Sequence, residues 1–312
     1  MELHIAQQLY DSVDASLQST LVTGMGKVML GGGALFGTFW LLSFTLKSIF
    51  WLYQGMTVAF REAVLEIAKI AFIAGLAWNV TWFVQTIIPF VTGFPPWMGG
   101  ILSGQEGNQV NQIDSMIVTY VQTFENLFDS MDFSITNLKQ AYLGLQAIVL
   151  YLLGGIPFLL VAVSTLMMLK VSISIMLCLG PLFIAFALFP QTKQWFWGWV
   201  ALLAGFMLTQ VLFSIVLALE VAFINTEVIK DGVIDTSIAG NFSMLFYFAT
   251  FTVLATQLPN YAASVMGGAP MQASGIGGLL SKGTGVGAAI NASRGASKLI
   301  SKIRTNAGNR IQ

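Results

Sequence analysis

Charged residues are scarce in this chain of 312 residues. They make up 9% of the sequence, and 56% of the residues are hydrophobic, whereas a soluble domain has about 25% charged residues. Five stretches contain no charged residue: residues 70–105, 140–169, 171–192, 194–219 and 236–281. Because a helix needs about 20 apolar residues to cross the hydrocarbon core of a bilayer, this composition excludes an ordinary soluble domain. It predicts a polytopic membrane protein.

The chain also has little of the chemistry that catalysis or metal binding requires. Cys178 is the only cysteine, so no disulfide can form within the chain, and we expect a small buried residue there. His4 is the only histidine, which leaves neither a Ser-His-Asp set nor the several ligands of a metal site. Gly26-Lys27 lacks the upstream glycine of a Walker A motif. We therefore predict no enzyme activity, no catalytic or metal-binding residue and no cofactor.

Acidic residues are missing from the predicted spans as well. Charged groups inside a membrane are functional candidates by default. Here only Lys47 and Lys170 qualify, and both can lie at the inner surface of the membrane. Coupling to protons or sodium through carboxylates is therefore not expected. A scaffold or a passive conduit is the leading hypothesis, and a stand-alone membrane transporter or channel is the alternative.

Hydropathy divides the chain into five segments. They are an amphipathic helix at 1–27 that ends at Gly24 and Gly26, two spans at 28–91, an extramembrane loop with an amphipathic helix at 92–143, a transmembrane region with a broken or re-entrant segment at 144–262, and a basic tail rich in Gly, Ala and Ser at 263–312. The tail cannot bury a core. The predicted fold is therefore all-α, with the spans as its only large apolar regions.

Glycine and proline mark two kinds of feature in these spans. Gly33 and Gly37 are four residues apart, the spacing of a small-residue face that lets two helices approach closely. The alternative is that glycine is simply common in membrane helices. Within residues 144–190, helix breaks are expected at Gly154, Gly155, Pro157, Gly180 and Pro181. Either two spans turn at Lys170, or one span is followed by a re-entrant or interfacial segment.

Residues 110–131 predict an amphipathic helix outside the membrane. Apolar residues recur there at alternating intervals of three and four, an a/d pattern over three heptads, and they are Val110, Ile113, Ile117, Tyr120, Phe124, Leu127 and Met131. The opposite face carries polar and acidic residues such as Gln122 and Glu125. The apolar face either lies on the membrane domain or forms an interface with another subunit or partner.

The distribution of Lys and Arg decides between the two topologies. With one crossing in residues 144–190, the chain crosses five times and 11 of its 14 basic residues lie on one side; with two crossings, the richer side holds nine. Cytoplasmic segments carry the excess of basic residues. We therefore predict about five net crossings, with the N-terminus outside and the C-terminus inside. Lys193 and the tryptophans after it, Trp195, Trp197 and Trp199, are expected to anchor the cytoplasmic interface.

Two runs of sequence resemble a known family. They are Gly180–Val200, GPLFIAFALFPQTKQWFWGWV, and Leu258–Gly268, LPNYAASVMGG, which leads into the Gly/Ala/Ser-rich tail. Both are similar to the polytopic inner-membrane subunit of bacterial type IV secretion systems, the TrbL-type conjugal transfer family, also known as the sixth VirB component. The length of the chain and the order of its segments fit this family from end to end.

The resemblance implies a location, a function and partners. It implies a homo-oligomeric platform in the bacterial inner membrane, with the outer side in the periplasm, that is energised by separate ATPases. It also implies roles in pilus biogenesis and in moving DNA or protein, with transient contact with what is transferred. The implied partners are membrane lipid, the minor pilin at the pilus tip, the major pilin, the bridging and core subunits and the ATPases. Residues 92–143 would then face the periplasm and hold the minor pilin.

Overall fold

The first helix of the computed structural model is much longer than the sequence pattern predicts. Helix α1 extends without interruption from Ile5 to Gln54, which is 50 residues and about 75 Å. The prediction that a separate helix ends at Gly24 and Gly26 is wrong. A glycine inside a helix costs only about 1 kcal/mol, and an apolar segment in a bilayer must keep its backbone hydrogen bonds within the helix. The helix therefore continues through both glycines.

The structure describes residues 5–104, 109–129, 138–230, 233–234 and 237–267, so most of the predicted tail lies outside the described residues. After α1, the elements in chain order are α2 Met56–Ala77, α3 Val80–Trp82, the π-helical turn π1 Phe83–Ile87, α4 Ile88–Ser103, α5 Gln109–Asp129, α6 Leu138–Cys178, α7 Gly180–Phe186, α8 Lys193–Phe223, the π-helical turn π2 Ile224–Val228, β1 Ile229–Lys230, β2 Val233–Ile234 and α9 Ile238–Met266. The two short strands pair antiparallel. Every other element in the described part of the chain is helical, and the all-α prediction is confirmed.

Four of the described helical segments are long and apolar enough to cross a membrane. They are Gly24–Gln54, Ala141–Cys178, Lys193–Glu227 and Ile238–Met266. These segments make the chain a multi-pass membrane protein. One of the five predicted crossings, the second of the two spans within residues 28–91, has no single helix to match it.

The predicted second span is divided near Asn79. Helix α2 ends at Ala77, and the side chain of Asn79 accepts a hydrogen bond from the backbone N–H of Trp82 at 3.1 Å. An asparagine that accepts such a bond starts a new helix. Shortly afterwards π1 precedes Pro89, which lies in the first turn of α4 and has no N–H to donate. The local chemistry of Asn79 and Pro89 therefore replaces one straight span by four successive elements.

The apolar region of residues 144–190 contains one long helix and one short helix. Helix α6 continues through Lys170, which excludes a turn at that residue. It also continues through Gly154, Gly155 and Pro157, so the prediction that these residues break the helix is wrong. The regular helix is interrupted only at Leu179, directly before Gly180 and Pro181 begin the seven-residue α7. Membrane helices tolerate glycine and proline when neighbouring groups satisfy the backbone.

Helices α6, α8 and α9 pack together as the core, and α4 packs along α8. Helix α5 lies against three helices, α1, α6 and α8. Helices α1 and α2 form a hairpin that turns at Gly55, whose φ is +109°, a value that glycine adopts without steric cost. The hairpin carries exposed apolar side chains on most of its surface, including Phe39, Phe50 and Phe60.

Helix α8 has two ends with different surroundings. Lys193 and Glu220 are separated by about 40 Å along its axis. The Lys193 end packs against α7, and Lys69 of α2 donates a hydrogen bond to the backbone oxygen of Leu188 at 2.8 Å beside it. The Glu220 end packs against α5.

Candidate functional site

The carboxyl group of Glu220 is the most unusual group inside the membrane region. The uncharged stretch 194–219 and the expectation that the spans hold no acidic residue would end this span before Glu220 and place Glu220 in a loop, and that prediction is wrong. Helix α8 continues to Phe223, and Glu220 has 0% of its surface exposed. Buried acidic residues are rare unless they are paired, and inside a membrane they mark functional sites. The signal available in the sequence was the apolar run VAFI directly after Glu220, which allows the helix to continue.

Tyr120 of α5 reaches into the bundle and contacts this carboxyl group. Its hydroxyl group donates a hydrogen bond to Oε1 of Glu220 at 3.0 Å, and the Tyr120 side chain is buried. Burial and, secondly, the carboxyl group of Glu220 raise the pKa of Tyr120 well above its ordinary value. The phenol therefore stays protonated and remains a donor, so that the bond ties α5 to α8.

A second tyrosine and a phenylalanine complete the packing around Tyr120. Tyr151 of α6 donates to the backbone oxygen of Tyr120 at 3.4 Å. The rings of Tyr120 and Tyr151 lie 5.2 Å apart, and Phe248 of α9 lies 5.7 Å from Tyr120 and 5.5 Å from Tyr151. Such ring separations are favourable for aromatic pairs. Side chains from α5, α6, α8 and α9 therefore meet at one place.

Two adjacent glycines of α6 make this meeting sterically feasible. A Cβ atom on Gly155 would lie 2.0 Å from Cε1 of Tyr120, and one on Gly154 would lie 2.8 Å from Cβ of Phe248. Both distances are shorter than any real contact allows. Gly154 and Gly155 therefore let two neighbouring helices approach α6, as small residues do in membrane proteins. In the sequence alone this pair resembles a helix break, because its neighbours in space cannot be identified there.

Oε2 of Glu220 is buried and has no hydrogen-bond partner among the described residues. The side chain of Thr123 lies within hydrogen-bonding reach of the Tyr151 hydroxyl group. Thr123 lies one turn after Tyr120 on the same face of α5 and has 0% of its surface exposed. We call Tyr120, Thr123, Tyr151 and Glu220 the polar cluster.

The apolar face of α5 is largely used inside this chain. Ile113 and Tyr120 are buried, and Ile117 and Phe124 are half-buried. The side chains of Val110 and Leu127, and the whole of Met131, lie outside the described residues. Of the two alternatives for this face, packing on the membrane domain agrees with the buried positions.

The predicted packing glycines of α1 have different surroundings. A Cβ atom on Gly33 would meet the ring of Trp78 at 3.7 Å, which is an ordinary contact between α1 and α2, whereas one on Gly37 would have nothing within 4 Å. Gly33 therefore lies at a helix contact within this chain, and Gly37 faces open space.

The predicted interfacial anchors are divided by burial. Trp199 is buried, and its Nε1–H donates to the backbone oxygen of Met176 at 3.0 Å, so it cannot act as an exposed anchor. Trp195 and Trp197 are 50% and 56% exposed, and Lys193 is exposed at the start of α8, which suits an interfacial position. The sequence pattern does not show which of the three tryptophans is buried, because all three lie within about one turn of the same helix.

An aromatic cluster occupies the Lys193 end of α8. Its members come from α1, α7 and α8, and they are Phe36, Phe183, Phe186, Trp195 and Trp199. Phe183 stacks on Trp199 with the rings 6.1 Å apart and 8° from parallel. Gly180 lies beneath this cluster, because a Cβ atom there would be 2.7 Å from Phe83 and 3.0 Å from Trp199. Gly180 therefore permits close packing where α6 gives way to α7.

Across the described residues, no group of three or more His, Cys, Asp or Glu side chains is placed to hold a metal ion. The polar cluster therefore differs from a metal centre with several acidic ligands.

Comparison with known protein families gives one match. The family model described as TrbL/VirB6 plasmid conjugal transfer protein matches residues 40–232. This range contains α2 to α8 and all four members of the polar cluster. A comparison with curated proteins gives no match.

Proposed function

Because the chain belongs to the TrbL/VirB6 family of plasmid conjugal transfer proteins, we propose that it is a non-enzymatic platform and channel subunit in the bacterial inner membrane. Family membership makes it a component of a type IV secretion or conjugation system that contains other subunits. The proposed role is to support pilus biogenesis and the transfer of DNA or protein. The family match over residues 40–232 is the observation that carries this proposal.

The orientation we propose has the N-terminus in the periplasm and the C-terminus in the cytoplasm. The placement of basic residues supports it. Lys69 and Lys193 lie at the α7 end of the bundle, and Lys47 pairs with Glu66 on the adjoining hairpin. The positive-inside rule assigns such an end to the cytoplasm. The polar cluster and α5 then lie toward the periplasm.

In this orientation the outer face of α5 is available to a periplasmic partner such as the minor pilin. The inner face of α5 packs on the bundle, so a partner would meet the opposite side. Gln122, Glu125 and Asn126 are exposed there, and Phe128 is 53% exposed. Aromatic residues are enriched at partner-binding surfaces, which are surrounded by polar groups.

The α1–α2 hairpin is the surface that we propose for contact between copies and with lipid. In the most apolar 18 residues of Gly24–Gln54 only 6% are buried, against 56% for the span that contains α8. Large exposed apolar surfaces indicate a membrane or a protein interface. Transferred substrate and the separate ATPases would then contact the oligomer rather than a single copy.

Affinity purification from the native host tests this function. The tagged protein is extracted in a mild detergent, and co-purifying proteins are identified by mass spectrometry. We expect pilins, bridging subunits and secretion ATPases, and we expect deletion of the gene to abolish conjugal transfer until the intact gene is restored. A homo-oligomer alone, which also conducts ions or solutes in liposomes, would favour the stand-alone channel instead.

Cysteine accessibility tests the orientation. Cys178 is the only cysteine, so Cys178→Ser gives a background in which single exposed positions can be labelled. Gln122→Cys on α5 and Lys193→Cys on α8 form a matched pair, since both positions are exposed. A membrane-impermeant maleimide should label Gln122→Cys once the outer membrane is opened, and Lys193→Cys only after the inner membrane is opened. The reverse order of labelling would contradict the proposed orientation.

A further inference from the structure

The polar cluster contains an acidic group that no described basic side chain balances. Glu220 has 0% of its surface exposed and forms no ion pair with any basic residue in the described part of the chain. Its Oε1 accepts from Tyr120, and its Oε2 has no protein partner among the described residues. An ionised carboxylate that is buried without a counter-charge is strongly disfavoured. The folded protein therefore requires a positive charge at this place.

The described side chains around Glu220 do not supply that charge. Those of π2, α5 and α9 that titrate are all acidic or phenolic, and they are Glu227, Asp114, Tyr120, Glu125, Tyr247 and Tyr261. Helix α6 adds Tyr142, Tyr151 and two lysines, but Lys139 lies about 18 Å before Tyr151 along the helix and Lys170 about 28 Å after it. Helix α4, which also packs on α8, has no titratable side chain. The side chain of Lys230 on β1 lies outside the described residues. No described side chain close to Glu220 can therefore neutralise it.

Thr123 and Tyr151 bring two further hydroxyl groups to the same region. The Thr123 side chain is buried and lies within hydrogen-bonding reach of the Tyr151 hydroxyl group, and Glu220 lies near the same hydroxyl group. Carboxyl and hydroxyl oxygens are the ligands that hard cations prefer. Three helices thus bring oxygen ligands to one buried region.

We propose that Glu220, Tyr120 and Thr123 form a binding site for one monovalent cation, either a proton or Na⁺, that holds α5 against the membrane bundle. A single carboxylate balances a single charge, which favours a monovalent cation. Loss of the cation leaves a buried negative charge that is relieved when α5 moves away and water reaches Glu220. This inference depends on the burial of Glu220 and not on the proposed role in secretion.

The first experiment measures whether α5 is released. In the Cys178→Ser background, Met116→Cys places a thiol on the buried face of α5, where Met116 has 0% exposure. Gln122→Cys, which is exposed on the same helix, corrects for the effect of pH on thiol reactivity. In purified protein without Na⁺, the corrected labelling of Met116→Cys should rise with pH, by up to about tenfold per pH unit because one proton leaves.

Two variants at acidic positions decide the origin of this effect. Glu220→Gln keeps the shape of the side chain and removes the charge, so labelling should stay low at every pH. Glu227→Gln changes an exposed acid seven residues further along the chain and should behave like the parent. The proposal is overturned if the parent and Glu220→Gln show the same pH dependence.

The identity of the cation is tested at the high end of the pH range. The same labelling is measured with choline and then with Na⁺ as the cation of the buffer, at constant ionic strength. Renewed protection of Met116→Cys identifies Na⁺ as an occupant, and unchanged labelling identifies the proton.

A measurement without cysteine variants uses dicyclohexylcarbodiimide, which modifies protonated carboxyl groups in apolar surroundings. Without Na⁺ and near pH 6, Glu220 should carry the adduct in wild type and in Glu227→Gln. Absence of the adduct at Glu220 would contradict the proposal.

Discussion

The two ends of α8 use the same steric solution for different purposes. At each end a glycine admits a ring that any larger residue would exclude: Gly155 beneath Tyr120, and Gly180 beneath Phe83 and Trp199. The aromatic cluster at the Lys193 end contains no carboxyl group; Trp199 donates to a backbone oxygen, and Lys69 beside the cluster donates to another. The polar cluster at the other end contains a carboxyl group that no described basic side chain balances. Close packing alone therefore fixes the first end, whereas charge also controls the second.

The largest effect is expected from Gly155→Ala. The added Cβ would lie 2.0 Å from Cε1 of Tyr120, and the ring is held by Glu220 and Tyr151, so it cannot move aside without losing both contacts. Overpacking a core costs about 1–3 kcal/mol and occasionally more, and we expect about 3 kcal/mol here. The midpoint of thermal unfolding in a mild detergent measures the loss.

Gly205→Ala is the matched control for that substitution. Gly205 is also buried inside a long helix, but an added Cβ there would have nothing within 4 Å. Alanine is favoured over glycine in a helix by about 1 kcal/mol, so this variant should unfold at the same temperature or higher. Equal destabilisation of both variants would show that the space which Gly155 leaves for the Tyr120 ring has no special role.

Local patterns predicted the features that depend only on local sequence. The apolar spans and the amphipathic α5 follow from composition and from the three-and-four spacing around Ile113 and Tyr120. The extent of α1 was missed because Gly24 and Gly26 resemble a helix end when considered alone. Their effect is small beside the need of a membrane helix to satisfy its backbone.

The candidate site could not be predicted because its parts are far apart in the sequence. Tyr120 and Glu220 are separated by 100 residues, and no local pattern brings them together. Glu220 also follows an apolar run, so hydropathy assigns it to a loop. Gly154 and Gly155 have a meaning only beside Phe248 and Tyr120. Contacts between distant segments decide these cases.

Tyr120→Phe should have the next largest effect, because it removes only the hydroxyl group. Glu220 then loses the donor to Oε1, and an unsatisfied buried acceptor costs about 1–3 kcal/mol. Thermal unfolding should therefore fall by a measurable amount. Tyr142→Phe is the control, since Tyr142 is 66% exposed and the same change should be nearly neutral there.

The double variant Tyr120→Phe with Glu220→Leu tests whether the Tyr120 hydroxyl stabilises the protein through its hydrogen bond to Glu220, because leucine offers no acceptor. If the hydroxyl acts through Glu220, the two substitutions together should cost less than the sum of the single losses, which is the mark of residues in contact. Additive losses would show that Tyr120 stabilises α5 through its ring alone. In that case the two ends of α8 would differ in composition but not in the origin of their stability.

The smallest effect is expected at the opposite end, from Lys69→Met. The substitution keeps the length of the side chain and removes the donor to the backbone oxygen of Leu188. Because this group is only partly buried, water can replace the lost bond, and the cost should be about 1 kcal/mol. Lys193→Met removes the same charge from an exposed position nearby and should change thermal unfolding less. A larger loss of stability for Lys69→Met than for Tyr120→Phe would reverse the comparison. The Lys193 end of α8 would then be more sensitive than the Glu220 end to the removal of a polar contact.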